Sequence, residues 1–240
     1  MEKLQNFIDG KYQNPVKGDF IENFEPATGK VYCLIPNSTS EDVELAVAAA
    51  EKAFPIWSNM SNEERSKIIV RLSEGIEQNM DEFVAAESRD NGKPISLAAH
   101  VDIPRAVSNF HFFATAILHY ASESHNMVGV GVNYTLRKPI GIVGCISPWN
   151  LPLYLFSWKI APALAAGNCV IAKPSEVTPY TAFLLGKIAK EAGMPDGVLN
   201  IVHGLGTGAG DAMVKHPKIK AISFTGGTST GKYIASTAAP

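Results

Sequence analysis

The chain has 240 residues, a formal net charge of -2, 18% charged side chains and 46% hydrophobic ones. Such a length makes one large domain or two ordinary ones with a substantial core, and the near-neutral balance excludes a global basic field for nucleic acid. Cys33, Cys145 and Cys169 are an odd number without metal-ligand spacing, which excludes a disulfide framework, and the six histidines show no paired or HExxH spacing, so no metal is expected.

Met1 to Asn14 mixes Glu, Lys and Asp with isolated apolar residues, unlike a signal peptide or a lipidation motif, so a cytoplasmic protein is expected. Phe7-Ile8-Asp9-Gly10-Lys11-Tyr12 predicts a hairpin, because Asp-Gly supplies two positive-φ positions. A second turn falls at Pro26-Ala-Thr-Gly29, ahead of Val31 to Ile35. Ser38-Thr-Ser-Glu41 offers a capping box before the stripe Val43, Ala46, Val47, Ala50, Phe54, which Pro55 is expected to end. Ser61-Asn-Glu-Glu64 is another box, opening a helix with Ile68, Ile69, Leu72 and Ile76 on one face. Asp102 to Tyr120 reads as a long buried helix with Arg105 near its start. Ser122 to Lys138 loses the helical period and alternates weakly through Val128, Val130, Val132 and Tyr134. We expect a strand pair there that leaves the body of the domain and joins subunits.

From Ile140 the pattern becomes regular, with strands expected at Ile140–Ile146, Cys169–Ala172, Val198–Val202 and Ile219–Phe224, each followed by a helix. These four βα units predict an α/β fold with a parallel, doubly wound, Rossmann-like sheet whose ligands bind at the carboxyl ends of the strands. The expected layout is 1–121 as the amino-terminal, mostly helical part, 122–138 as the arm, and 139–240 as the nucleotide-binding part. From Ile140 to Trp158 no residue is charged, but Pro148, Asn150 and Pro152 would break a membrane span in the middle, so a soluble interior is the better reading.

The polar residues fall after the strands. Asn150 follows the first; its side chain either caps the next helix or points an amide N–H at an oxygen that becomes negative during acyl or carbonyl chemistry. Lys173 and Glu176 follow the second. They are either a solvated pair or the partners of a nucleotide ribose, and a carboxylate there repels a 2′-phosphate and favours NAD over NADP. Gly204-x-Gly206-x-x-Ala209 after the third strand is a weak dinucleotide motif. After the fourth, Gly226-x-x-x-x-Gly231-Lys232 imitates a P-loop, but Tyr233 stands where Ser or Thr would hold magnesium; a helix N-terminus offering N–H groups to phosphate survives that failure.

Taken together, Ser147-Pro-Trp-Asn150, Trp158-Lys159, Pro162-Ala-Leu-Ala-Ala-Gly-Asn168, Lys173-Pro-Ser-Glu176, Pro195-x-Gly197-Val-Leu-Asn200 and Phe224-Thr-Gly-Gly227 resemble the NAD(P)-dependent aldehyde dehydrogenases. The resemblance implies that Asn150 stabilises the oxyanion, that Lys173 and Glu176 hold the adenine ribose with Ser175 beside them, and that Ile146, Ser147 and Trp149 line the cofactor cleft. It sets Gly206, Gly210, Thr225, Gly226 and Gly227 around the adenosine and pyrophosphate, with Gly227 where many relatives carry Ser. NAD is the implied cofactor, an aldehyde the substrate, and a homo-oligomer the assembly. Arg105 falls where relatives line the substrate tunnel and could clamp a substrate carboxylate, or it is an ordinary surface Arg. The family's nucleophilic Cys and its Glu base belong to later motifs than this chain reaches, so the chain corresponds to the cofactor-binding half and is expected to be inactive alone. The alternative is a non-catalytic form that binds NAD or pairs with full-length subunits.

Overall fold

The computed structural model describes residues 1–239. Strands β1 (Glu2–Lys3), β2 (Asn6–Ile8) and β3 (Lys11–Gln13) open the chain, followed by the hairpin β4 (Phe20–Glu25) and β5 (Lys30–Pro36). Helices α1 (Ser40–Asn59), α2 (Asn62–Gln78) and α3 (Met80–Asn91) come next, and the short α4 (Ile95–Leu97) runs through a π-helical turn at Ala98–Asp102 into α5 (Ile103–Ala116). The hairpin β6 (Ser124–Met127) and β7 (Gly131–Tyr134) precedes β8 (Ile142–Ile146), α6 (Pro152–Ala165), β9 (Cys169–Lys173) and α7 (Tyr180–Glu191). The chain continues with β10 (Leu199–Ile201), α8 (Asp211–Lys215), β11 (Ile219–Phe224) and α9 (Thr228–Ala238).

The main sheet has six strands in the order β11-β8-β9-β10-β2-β3. Its first four are parallel, and β2 joins β10 antiparallel through Phe7 and Ile201. The chain steps from β8 to β9 to β10 in one direction, then returns past β8 to β11. With right-handed crossovers, that reversal puts α6 and α7 on one face and α8 on the other, and leaves a switch point between the carboxyl ends of β8 and β11. Strands β8 and β9 are buried at every position, so they read as continuous apolar runs. Helix α1 packs across β8 to β10 beside α8, and α2 and α5 pack outside α6.

The hairpin turn uses Asp9 at φ 51° and Gly10 at φ 70°. A Cβ on Gly10 would stand 1.7 Å from Asp196 Oδ1, so only glycine fits. What the sequence did not reveal is that this hairpin forms the far edge of the main sheet.

Two local expectations are corrected. Helix α1 does not stop at Pro55 but runs to Asn59. Trp57 lies fully buried beyond the proline and its Nε1 donates to Leu164 O at 3.1 Å, which offsets the one backbone hydrogen bond Pro55 forfeits. The first capping box is also shifted by one residue, from Ser38 and Glu41 to Thr39 and Asp42. Ser38 is instead buried against Asn6, whose Nδ2 donates to its Oγ at 2.8 Å. The box at Ser61 and Glu64 stands as expected.

Candidate functional site

Backbone register brings the polar clusters to one edge. Ile146 is paired with Lys173 on β9 and with Phe224 on β11, Ser147 N donates to Lys173 O at 3.2 Å, and Thr225 N donates to Ile146 O at 3.2 Å. The residues that follow all three strand ends therefore share a rim.

Part of that rim is a cavity of about 670 Å³ lined by Glu176, Gly206, Thr207, Asp211, Ser229 and Tyr233, among others. Lys173 lies beneath it, buried, with Nζ donating to Pro174 O at 2.8 Å and to Glu176 Oε2 at 3.3 Å. Burial pushes the ammonium's pKa down and the Glu176 carboxylate opposes that shift. The two are thus no solvated surface pair: the lysine anchors the carboxylate, whose side chain keeps 37% exposure toward the cavity. Gly210 is buried above the lysine stem, where a Cβ would sit 3.6 Å from Lys173 Cδ. Ser175 is buried beside Glu176.

Glycine fits the remaining positions for a different reason. A Cβ on Gly206 or Gly227 would meet nothing within 4 Å, so the backbone there is bare and open to close approach. Gly227 is the N-cap of α9 and offers no side-chain cap; one on Gly226 would stand 2.4 Å from the Phe224 ring. Thr225 and Gly226 are exposed in the loop before it. Because α9 begins at Thr228, the P-loop imitation fails geometrically: Gly231 and Lys232 lie inside the helix, not in a loop ahead of it. Tyr233 OH donates to Asp211 Oδ1, tying α9 to α8.

The second part of the rim is the Ser147–Leu151 loop. Ser147 is buried, Trp149 is 59% exposed and Asn150 is exposed. Leu151, not Asn150, is the N-cap of α6, with Pro152 in the first turn, so the capping role does not occupy the Asn150 side chain. Among the described residues none takes a hydrogen bond from its amide. The loop is held from behind by α3: Asn91 Nδ2 donates to Trp149 O at 2.8 Å, and Glu87 Oε2 accepts from Leu153 N at 3.4 Å. Glu87 belongs to a buried cluster, with Lys93 Nζ 3.1 Å from its Oε1 and also bonded to Asp102 Oδ2. Sequence reasoning missed this cluster because its members sit on a helix, a loop and a π-turn with no shared period.

Arg105 is exposed in the first turn of α5, its Cζ 5.8 Å from the centroid of Tyr154 in the first turn of α6. It makes no ion pair with a described residue. Tyr154 and Phe113 both pack edge-on to Trp158, continuing an aromatic wall from that point. The three thiols are all buried, and burial pushes Cys33 up to about 11 and Cys145 and Cys169 up to about 12, so none ionises readily. No described group of His, Cys, Asp and Glu could hold a metal ion, and no described helix is long and apolar enough to cross a membrane.

A mixed, mainly parallel sheet with a switch point, and with bare glycine backbone and a carboxylate at the ends of its parallel strands, defines a Rossmann-like α/β protein. A model of the aldehyde dehydrogenase family matches residues 12–240, and the chain belongs to that family. It is 51% identical over 238 residues to the 2-aminomuconic semialdehyde dehydrogenase of Homo sapiens, covering 99% of this chain and 48% of that protein. In the sequence, the stretches Phe7-Ile-Asp-Gly10, Asp102-Ile-Pro-Arg105 and Ile146 to Tyr154 suggest the same likeness. It is 45% identical to the 2-hydroxymuconic semialdehyde dehydrogenase of Pseudomonas sp., covering 100% of this chain and 50% of that protein. An aldehyde dehydrogenase from Bacillus cereus, solved as an NAD+ complex, superposes with a TM-score of 0.97 at 38% identity, over 99% of this chain and 49% of that one. The chain spans about half the length of the relatives it matches.

Proposed function

We propose that this chain is the cofactor-binding half of an NAD-dependent aldehyde dehydrogenase acting on a carboxylate-bearing semialdehyde such as 2-aminomuconic semialdehyde. The observation that carries the reading is the cavity that joins Glu176, the bare backbone at Gly206 and the first turn of α9. A ribose fits the Glu176 carboxylate, which accepts from hydroxyls, and a pyrophosphate fits N–H groups at Thr225 to Gly227 where α9 begins. When bound, a nicotinamide ring supplies the hydride acceptor. The chain's own part is to hold it between Ile146, Ser147 and Trp149, and to keep the Asn150 amide aimed where an oxyanion develops. Arg105 forms no ion pair with a described residue and its Cζ lies 5.8 Å from the centroid of the Tyr154 ring in the first turn of α6, which suits a clamp on the substrate carboxylate. With every thiol buried and un-ionised, the chain by itself lacks a nucleophile for the covalent step. Titrating the chain with NAD, NADP and ATP by isothermal calorimetry tests the reading. NAD is expected to bind, NADP more weakly and ATP weakest; ATP binding as tightly as NAD would remove the dinucleotide assignment.

The β6–β7 hairpin supports a second element of the proposal, the assembly of subunits. All eight strand residues are exposed, and Val128, Val130, Val132 and Tyr134 are between 63% and 91% exposed, an apolar surface that no described residue of this chain covers. Its occupant in this reading is the same hairpin surface of another copy or of a longer subunit. Excising residues 123–135 should lower the mass measured by sedimentation; an unchanged mass would remove the role.

A further inference from the structure

On the opposite end of α6 from Asn150 lies a cavity of about 580 Å³ that the cofactor reading does not use. It is lined by Ser61, Asn62, Arg65, Tyr120, Arg137 and Lys138, among others. Three of these are cationic, none of the lining residues is acidic, and Arg65, Arg137 and Lys138 take part in no ion pair among the described residues.

Arg65 is 6% exposed and fixed in place. Its Nε donates to Ala165 O at 3.2 Å, one Nη to Met60 O and the other to Asn62 Oδ1, so the carbonyls closing α1 and α6 hold the fork rigid. Each terminal nitrogen keeps a second N–H. Arg137 is steadied by its own contact, with Cζ 5.1 Å from the Tyr120 ring centroid. The 17-residue helix α2 starts at this cavity, with Ser61 as its N-cap, and adds the positive end of its dipole. The acidic groups nearest in sequence are Glu63, whose charge bears on Arg65, and Glu64, whose Oε2 accepts from Ser61 N at 3.0 Å and Ser61 Oγ at 2.9 Å. Glu64 is therefore spent on the cap. One guanidinium held by backbone, a second held by an aromatic face, an ammonium and a helix N-terminus make a preorganised cradle with three cations, which Glu63 and Glu64 offset only from outside the cavity lining and without an ion pair.

We propose that this cavity binds a small phosphate-class oxyanion, seated between Arg137, Lys138 and the free N–H groups of Arg65. Binding would tie the base of the β6–β7 hairpin to α2, coupling occupancy to the carriage of the arm.

The test is a titration of the chain with inorganic phosphate against sodium chloride at matched ionic strength, followed by amide NMR, with saturating NAD present to keep phosphate from the glycine loops. Saturable shifts are expected at Ser61, Asn62, Tyr120 and Arg137, and the doubly substituted Arg137→Gln/Lys138→Gln chain should bind at least about tenfold more weakly, a loss of about 1.4 kcal/mol or more. Both replaced residues are exposed, so the variant keeps its fold, which its unchanged amide dispersion checks. Equal shifts with chloride, shifts confined to Gly204–Gly227, or an affinity unchanged by the double substitution would each overturn the proposal. Should NAD fail to bind, the amides of Ser61, Asn62, Tyr120 and Arg137 still report this cavity separately from Gly204–Gly227, so failure of the cofactor reading is distinguishable from failure of this one.

Discussion

Replacing Lys93 with methionine is expected to cost about 3–5 kcal/mol of folding stability, the largest effect of any single substitution considered for this chain. The side chains of Lys93, Glu87 and Asp102 are 6%, 0% and 1% exposed, so the ammonium is the one cation facing two carboxylates that water does not reach. Methionine fills the stem's volume but leaves two like charges against each other. The loss should be largest at pH 8 and shrink toward pH 5, where Glu87, raised to about 7 by burial, escapes by taking up a proton. Urea unfolding at both values measures it, and a loss below about 1 kcal/mol at pH 8 would mean that the cluster is not the buried ion group it resembles.

The same cluster carries a pH signature of its own. Burial raises the Glu87 carboxyl from 4.5 to about 7, and Lys93 only partly offsets that. A carboxyl held above its unfolded value contributes stability that is fully present below 4.5 and is lost as pH rises through about 7. Glu87→Gln keeps an acceptor for Leu153 N–H and should flatten stability across that window. Through that N–H the cluster also sets the first turn of α6, so its disruption should reach the Asn150 loop before it reaches the sheet.

The second large effect is expected at Glu176. Its carboxylate accepts from Lys173 and faces the cavity, so Glu176→Gln should weaken NAD by roughly tenfold while NADP loses less or gains, because removing the charge removes a repulsion that only the 2′-phosphate feels. The ratio of the two dissociation constants, measured on one preparation, is the readout. Parallel losses for both nucleotides would place the cofactor's ribose elsewhere.

Much of this architecture is legible in the sequence. Strands β8 to β11 declared themselves as apolar runs closed by turn residues, and their order gave the shared rim. Local signals failed where distant packing decided the outcome. Pro55 reads as a stop until Trp57 is seen inserted against α6. Ser38 reads as a cap until Asn6 claims its hydroxyl. The Lys173 and Glu176 pair reads equally well as solvated until burial separates their roles into anchor and acceptor. The Glu87, Lys93 and Asp102 cluster had no periodicity to betray it, and the cationic cavity draws on residues from α2 and from both sides of the hairpin arm.

The antiparallel edge of the main sheet bears on how the molecule is made. Asp9 N donates to Asn200 Oδ1 at 3.1 Å, and Phe7 pairs with Ile201, so the β2–β3 hairpin meets its sheet neighbour only after almost two hundred further residues have been synthesised. Until then Phe7 has the edge of Tyr12 against it but β2 lacks the neighbouring strand that completes its cover. Nascent chains stalled before Val198 should therefore be bound by chaperones through the β2–β3 hairpin, and that hairpin should become fully protected from protease only when β10 clears the exit tunnel.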